Sequence, residues 1–340
     1  MRYCLIGCGR VSPEHIRAAK HNGLEIAGLC DVDPQSVAEN LGWAELDDIP
    51  VYENYRDMLR RERPQLVAIA TPSGLHAQMA LDCLEAGAHV IVEKPIAMHL
   101  KDARAIQETA KRLGLTVSNN LQNRFNPAVQ ALRKAVEAGR FGHLYSASMQ
   151  LRWHRGEDYY RSAAWRGTRA LDGGCMMNQG IHGIDLLNWM LGSAPKRVTA
   201  FTATMARKIE CEDLGLALVE YTGAIASIEC TTLRCPGAQE EVLEFSGDLG
   251  VVRLGGTAGH VVETWRFAGA PPDEEAIMRR LYSTNPESVY GHGHSLLYAD
   301  VLRAIADGRP PLSDAKAGAG ALSIILGAYE SAETGRAVAL

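Results

Sequence analysis

A chain of 340 residues exceeds the size at which one hydrophobic core stops growing, so two domains are expected, and an apolar share of 46% excludes extended disorder. Forty acidic against 35 basic residues leave a formal charge of −5, the wrong sign for a general nucleic-acid or anionic-membrane binder, so small molecules are the expected partners. No apolar run approaches the roughly 20 residues that cross a bilayer, residues 1–7 lack the core of a secretory leader, and the cysteines form no C-x-x-C pair. The expectation is a cytoplasmic protein without disulfides, zinc ribbon or dithiol centre.

Short apolar runs at 2–6, 24–30, 66–70, 88–92 and 115–118 alternate with longer amphipathic stretches. That rhythm predicts strands joined by helices, a parallel sheet with right-handed crossovers. Beyond about residue 120 the texture changes to a helix over 127–138, a long strand over 142–153, an Arg- and aromatic-rich loop, and a helix over 174–191. Strand-like segments at 196–205, 212–221, 225–233, 240–246 and 260–267 then follow without helices between them, which implies an antiparallel or mixed sheet. Pro271 and Pro272 open a more irregular stretch, and helices over 292–307 and 314–335 close the chain. The predicted fold is α/β, a doubly wound parallel Rossmann sheet in 1–120 followed by an α+β domain in 121–313 for substrate and oligomer contacts. Its sheet is large, open and mostly antiparallel, and the 314–335 helix can pack back on the first domain.

The first strand runs into Gly7-x-Gly9 and a helix start. Gly7 permits the tight turn, and Gly9 lets the backbone approach a pyrophosphate, whose charge suits the exposed N–H groups and dipole of the helix. The second strand ends at Asp31, 24 residues after Gly7. A carboxylate there accepts both ribose hydroxyls of NAD and repels the 2′-phosphate of NADP. Ser12 holds the third fingerprint position, where it can cap a helix whose first residue is Pro13.

Three further segments carry a resemblance: Thr71-Pro72-Ser73-Gly74-Leu75-His76 after the third of these long strands, Glu93-Lys94-Pro95 after the fourth, and the run from Gly173-Gly174 through Asn178 and His182 to Asp185. Together they resemble the glucose-fructose oxidoreductase / inositol dehydrogenase (Gfo/Idh/MocA) family, over essentially the whole chain. Tyr159-Tyr160, Trp165-Arg166-Gly167-Thr168, Met177-Asn178-Gln179 and the run 289–294 are most similar to UDP-N-acetylglucosaminuronate 3-dehydrogenases. The resemblance implies NAD held by Gly7, Gly9, Arg10, Val11, Asp31, Thr71, Pro72, Ser73, His76, Glu93, Lys94, Pro95 and Gln122. It implies a sugar or nucleotide-sugar substrate held by Asn123, Arg124, Tyr159, Tyr160, Trp165, Arg166, Thr168, Asn178, His182 and His294. A homodimer or homotetramer is expected, with no metal, nucleic acid or membrane.

Oxidising a secondary alcohol needs a base for its proton and a group that tolerates the growing alkoxide. His182 is assigned as the base and Lys94 as the cation; the roles exchange if burial strips Lys94 of its proton. Helical spacing places Asn178 and His182 on one face, with Asp185 one turn on to orient the imidazole. Arg152, Arg155, Arg161, Arg166 and Arg169 stand against only Glu157 and Asp158 in 152–169, which suits an anionic uronic acid or diphosphate. His292 and His294 open the late helix, as nucleotide contacts or caps. The alternatives are oxidation of a free polyol or monosaccharide, and a non-catalytic NAD sensor on the same fold.

Overall fold

The structure is a computed structural model that describes residues 1–46, 48–284, 291 and 293–340. The chain forms two compact units, Met1–Gln122 with His292–Ala319 and Asn123–Gly291 with Gly320–Leu340.

In the first unit β1 (Arg2–Ile6), α1 (Ser12–His21), β2 (Glu25–Cys30), α2 (Pro34–Ala44), β3 (Val51–Tyr52), α3 (Tyr55–Glu62), β4 (Leu66–Ile69), α4 (His76–Glu85), β5 (His89–Val92), α5 (Leu100–Leu113) and β6 (Val117–Asn119) follow in order. The sheet order is β3-β2-β1-β4-β5-β6, every pair parallel. Past their first residues, β1, β2, β4 and β5 are apolar and buried because both faces of the sheet are covered. Reversal of strand order at β1 and β4 puts the ligand crevice of such a sheet outside their carboxyl ends, where Gly7 and Thr71 lie. The two-residue β3 is too short to show a period and escaped the sequence pattern.

The second unit contains α6 (Pro127–Glu137), β7 (Leu144–Arg152), α7 (Glu157–Arg161), a π-helical turn over Met176–Gly180, α8 (Ile181–Leu191), β8 (Arg197–Ala203), β9 (Leu214–Glu220), β10 (Ile225–Thr231), β11 (Glu240–Gly247), β12 (Gly250–Gly255), β13 (Val261–Phe267) and α9 (Glu274–Tyr282). Then α10 (Gly293–Asp307) returns to the first unit, α11 (Ala315–Thr334) belongs to both, and β14 (Val338–Ala339) ends in the second. The eight-stranded sheet runs β13-β12-β11-β7-β10-β9-β8-β14, antiparallel except for β7 and β10. Strict alternation in β9 buries Gly215, Ala217 and Val219 and exposes Leu216 and Leu218, so one face of the sheet is covered and the other open.

Three elements depart from the pattern read in the sequence. The stretch after Pro271 contains α9, whose acid-first, base-last charge order suits a helix dipole but which buries no residue, so it has no apolar stripe to read. The helix expected over 174–191 begins as a π turn. The 292–319 segment, assigned by sequence mainly to the second domain, lies in the first unit, where Asn22 Nδ2 donates to the Ser295 carbonyl at 3.0 Å.

Candidate active site

At the end of β1, Gly7 has φ +95° and a Cβ there would lie 2.5 Å from the Ala70 carbonyl carbon, so the turn demands glycine. A Cβ at Gly9 would meet nothing within 4 Å, and the backbone faces open space at the start of α1. Arg10 is exposed and Val11 half-buried in the same turn. Asp31 Oδ2 accepts from Cys8 N at 2.6 Å and Oδ1 from Asp33 N at 2.9 Å, which fixes the carboxylate beside the glycine turn. Ser12 does not cap α1 as expected. Its hydroxyl lies 2.5 Å from the Gly9 carbonyl and 3.0 Å from Asn40 Oδ1, donating back into the turn, and Val11 holds the cap position.

At the ends of β4 and β5, His76 ties two loops together. Its Nδ1 lies 2.8 Å from the Pro95 carbonyl and its Nε2 2.9 Å from that of Thr71. Expected as a cofactor contact, it is a buried brace that holds the 71–73 loop against the Lys94–Pro95 turn, whose peptide is cis. Glu93 is buried likewise. Its Oε1 accepts from His15 Nε2 at 3.1 Å and from Asn120 Nδ2, and its Oε2 lies 3.2 Å from Lys94 N. Burial pushes the Glu93 carboxyl up, but the bonds and charges of His15 and His294 outweigh it and hold the group well below its ordinary range. His294, expected to reach substrate, is buried in this cluster with its Nε2 2.8 Å from Asn120 Nδ2. His15, Glu93 and His294 bring three potential ligand atoms within 4.8 Å of one another, and hydrogen bonds already link them. His292 and the run 289–290 lie outside the described residues.

Sequence reading passed over His15 and Asn120. Ser12, His15, Ile16 and Ala19 form the buried stripe of α1, so a histidine on an apolar helical face was the available signal. Gln122 is 4% exposed and its Oε1 has no hydrogen-bond partner, a buried acceptor suited to a ligand amide or hydroxyl.

In the second unit, Arg124 is buried, not open to substrate. Its Nε and Nη2 each lie 2.7 Å from an oxygen of Asp185, and its guanidinium stacks 4.7 Å from the Trp189 ring centroid. Each oxygen of Asp185 accepts one bond from Arg124. The buried Asn123 has an unpartnered Oδ1. His182 is the half-buried second residue of α8. Glycines set that helix close to its sheet: a Cβ at Gly180 would stand 2.4 Å from Cys230 Sγ, and one at Gly183 would stand 2.4 Å from Met149 Cε. Asn178 Nδ2 donates to Asp172 Oδ1, while Asp172 Oδ2 accepts from Gly167 N at 2.6 Å. Asp172, unread in the sequence, therefore anchors the 167–178 loop at both ends.

The arginine cluster divides. Arg152 is tied to Glu229 and Glu240 between strands and serves the sheet, while Arg161 and Arg169 are exposed and pair with Asp158 and Glu333 at the surface. Arg155 stacks between Trp153 and Tyr159, and Arg166 between Tyr159 and Trp165, a ladder of cations and aromatic faces. Tyr160, expected to stack on a ligand, instead packs inward, its hydroxyl 3.1 Å from Thr232 Oγ1. Thr168 Oγ1 donates to the Trp165 carbonyl at 2.7 Å and closes the loop that carries Trp165 and Arg166.

A doubly wound parallel sheet, a glycine turn that no side chain could enter and a fixed acid at the end of β2 define an NAD-dependent oxidoreductase. The family description of an oxidoreductase with an NAD-binding Rossmann fold matches residues 1–121, and that of the GFO/IDH/MocA C-terminal domain matches 129–253. The chain belongs to the Gfo/Idh/MocA family. It is similar to the WlbA dehydrogenase of Bordetella pertussis in complex with NADH and UDP-GlcNAcA, at 35% identity over 100% of this chain and 97% of that one, TM-score 0.92. The Chromobacterium violaceum WlbA dehydrogenase, with the same two ligands, is 34% identical over 100% and 96%, TM-score 0.90. The rhizopine catabolism protein MocA of Rhizobium meliloti is 28% identical over 280 residues, 81% of each chain. Among the described residues no helix is long and apolar enough to cross a membrane.

Proposed function

We propose that this chain oxidises the C3 hydroxyl of a UDP-linked N-acetylhexosaminuronic acid. The observation that carries the substrate class is the full-length likeness to two dehydrogenases bound to NADH and UDP-GlcNAcA. The cation–aromatic ladder of Arg155, Tyr159, Trp165 and Arg166 supplies matching chemistry, with guanidinium groups for carboxylate or diphosphate and ring faces for sugar or uracil. In this reading Asn123, Thr168 and Asn178 border the substrate.

When bound, NAD would supply a hydride acceptor for the oxidation. The residues that would hold it are the Gly7–Val11 turn at the pyrophosphate, Asp31 at the ribose, and Gln122 with the 71–73 loop at the nicotinamide end. His182 takes the hydroxyl proton, and the Lys94 ammonium donates a hydrogen bond to the oxygen as negative charge grows there. The test is NADH absorbance on mixing the protein with NAD and UDP-GlcNAcA, with NMR of the product. A 3-keto sugar is expected. Lys94→Met and His182→Ala should each lower kcat by about 10²- to 10⁴-fold with NADH binding retained, and near-normal turnover in either removes that residue from the chemistry. Turnover of free inositol or glucose with none of the UDP-uronate would transfer the activity to an uncharged substrate.

The same reading includes a cytoplasmic setting, consistent with eight free cysteines, and self-association through the open face of the second unit's sheet.

A further inference from the structure

The carboxylate of Glu93 is the end point of a hydrogen-bond chain whose direction is fixed throughout. An ionised carboxylate only accepts, so His15 Nε2 carries the proton in its 3.1 Å contact with Oε1. His15 Nδ1 is then an acceptor, and the Tyr298 hydroxyl 2.7 Å away donates to it. Tyr298 in turn accepts from the Tyr3 hydroxyl at 3.0 Å. On the other side, Asn120 spends one amide proton on Glu93 Oε1 and directs the nitrogen at His294 Nε2, 2.8 Å away. Every group belongs to the first unit, and Tyr3, His15, Tyr298, Asn120 and His294 are each at most 2% exposed. Such a cage leaves the carboxylate one orientation, and in it Oε2 receives the backbone N–H of Lys94.

We propose that Glu93 is a positioning residue: its caged carboxylate fixes the backbone at Lys94 and thereby aims the Lys94 ammonium. This rests on Lys94 being the cation of the proposed site. A glutamine at 93 has the same size but presents an amide group to at least one donor, so the cage loses its single solution and the Lys94 turn its anchor. Tyr298→Phe acts from farther off: it leaves His15 Nδ1 without its donor, so the imidazole that holds Glu93 Oε1 loses its own anchor.

The primary readout needs no substrate. Lysines are dimethylated with ¹³C-formaldehyde and the Lys94 methyl resonance is identified by its loss in Lys94→Met. A resonance that stands apart from the other lysines in the unsubstituted protein and moves towards them in Glu93→Gln is expected, with a smaller move in Tyr298→Phe. An unmoved resonance in both variants overturns the proposal. If Glu93→Gln fails to fold, judged by circular dichroism and NADH binding, Tyr298→Phe alone decides on the same criterion.

The second readout is turnover of UDP-GlcNAcA. A kcat lowered about 10- to 100-fold with KM within about threefold is expected for Glu93→Gln, since misaiming affects the reacting geometry more than binding. A KM defect with unchanged kcat overturns it. Absence of turnover in the unsubstituted protein counts against the substrate reading alone, and the resonance still decides the role of Glu93.

Discussion

Two buried carboxyls in the second unit have opposite circumstances to Glu93. Glu241 has no hydrogen-bond partner on Oε1, and burial pushes its carboxyl up to about 8; Glu212, which accepts from Met176 N at 2.9 Å and the Tyr329 hydroxyl at 2.9 Å, is pushed up to about 7, chiefly by burial. Between the ordinary carboxyl value of 4.5 and these raised values, each is protonated in the fold and ionises when the chain unfolds. Their folded values are raised, so the favourable contribution is complete below the ordinary carboxyl value of 4.5 and is lost as pH rises to about 7 and 8. Glu241→Gln keeps the shape of the protonated acid and cannot ionise. Denaturation midpoints should therefore show this variant gaining on the unsubstituted protein from pH 5 to pH 8, by a slope of about 1.4 kcal/mol per pH unit at most. An equal difference at both pH values would place the ionised carboxylate inside the fold. At the glycine turn, Asp31→Ala removes the carboxylate fixed by Cys8 N and Asp33 N, the group proposed to hold the ribose. If Asp31 holds the ribose as proposed, the kcat/KM preference for NAD over NADP should narrow by about tenfold or more, and an unchanged ratio assigns ribose recognition elsewhere.

At the scale of elements, legibility followed locality. The β1–turn–α1 unit was readable because Gly7, Gly9 and Asp31 lie within one strand–helix–strand stretch; backbone geometry demands glycine at 7, and the space over Gly9 is open. The ion pair of Arg124 and Asp185 joins residues 61 apart, and Glu93 and His294 lie farther apart still, so neither left a periodic trace. The arginines of 152–169 looked alike in sequence. Partners on β10 and β11 decided that Arg152 is structural, while neighbouring rings made a ladder of Arg155 and Arg166. The open sheet face was readable as alternation in β8 and β9, and it carries a prediction of its own. Phe201 is 76% exposed and sits across from Leu216, while Leu218 and Ile225 are 57% and 59% exposed on adjoining strands. A row of large apolar side chains on paired strands is expected to be covered by the same face of a second copy. Light scattering should give a dimer or tetramer mass that Phe201→Glu with Leu218→Glu lowers; a monomer mass before substitution refutes the association.

For the whole molecule, the order of the chain matters as much as its contacts. The first unit is made of two stretches, with seven of the eight strands of the second unit's sheet, β7 to β13, encoded between them. A ribosome has therefore released β1, α1 and Glu93 long before it makes Tyr298 and His294. Until α10 arrives, the nascent domain holds a carboxylate whose cage is only partly built, together with an α1 flank that lacks its covering helix. The dinucleotide-binding half thus reaches its final form late in translation, although it contains the amino terminus, and a chain interrupted anywhere in the second sheet would lack the residues that complete both halves.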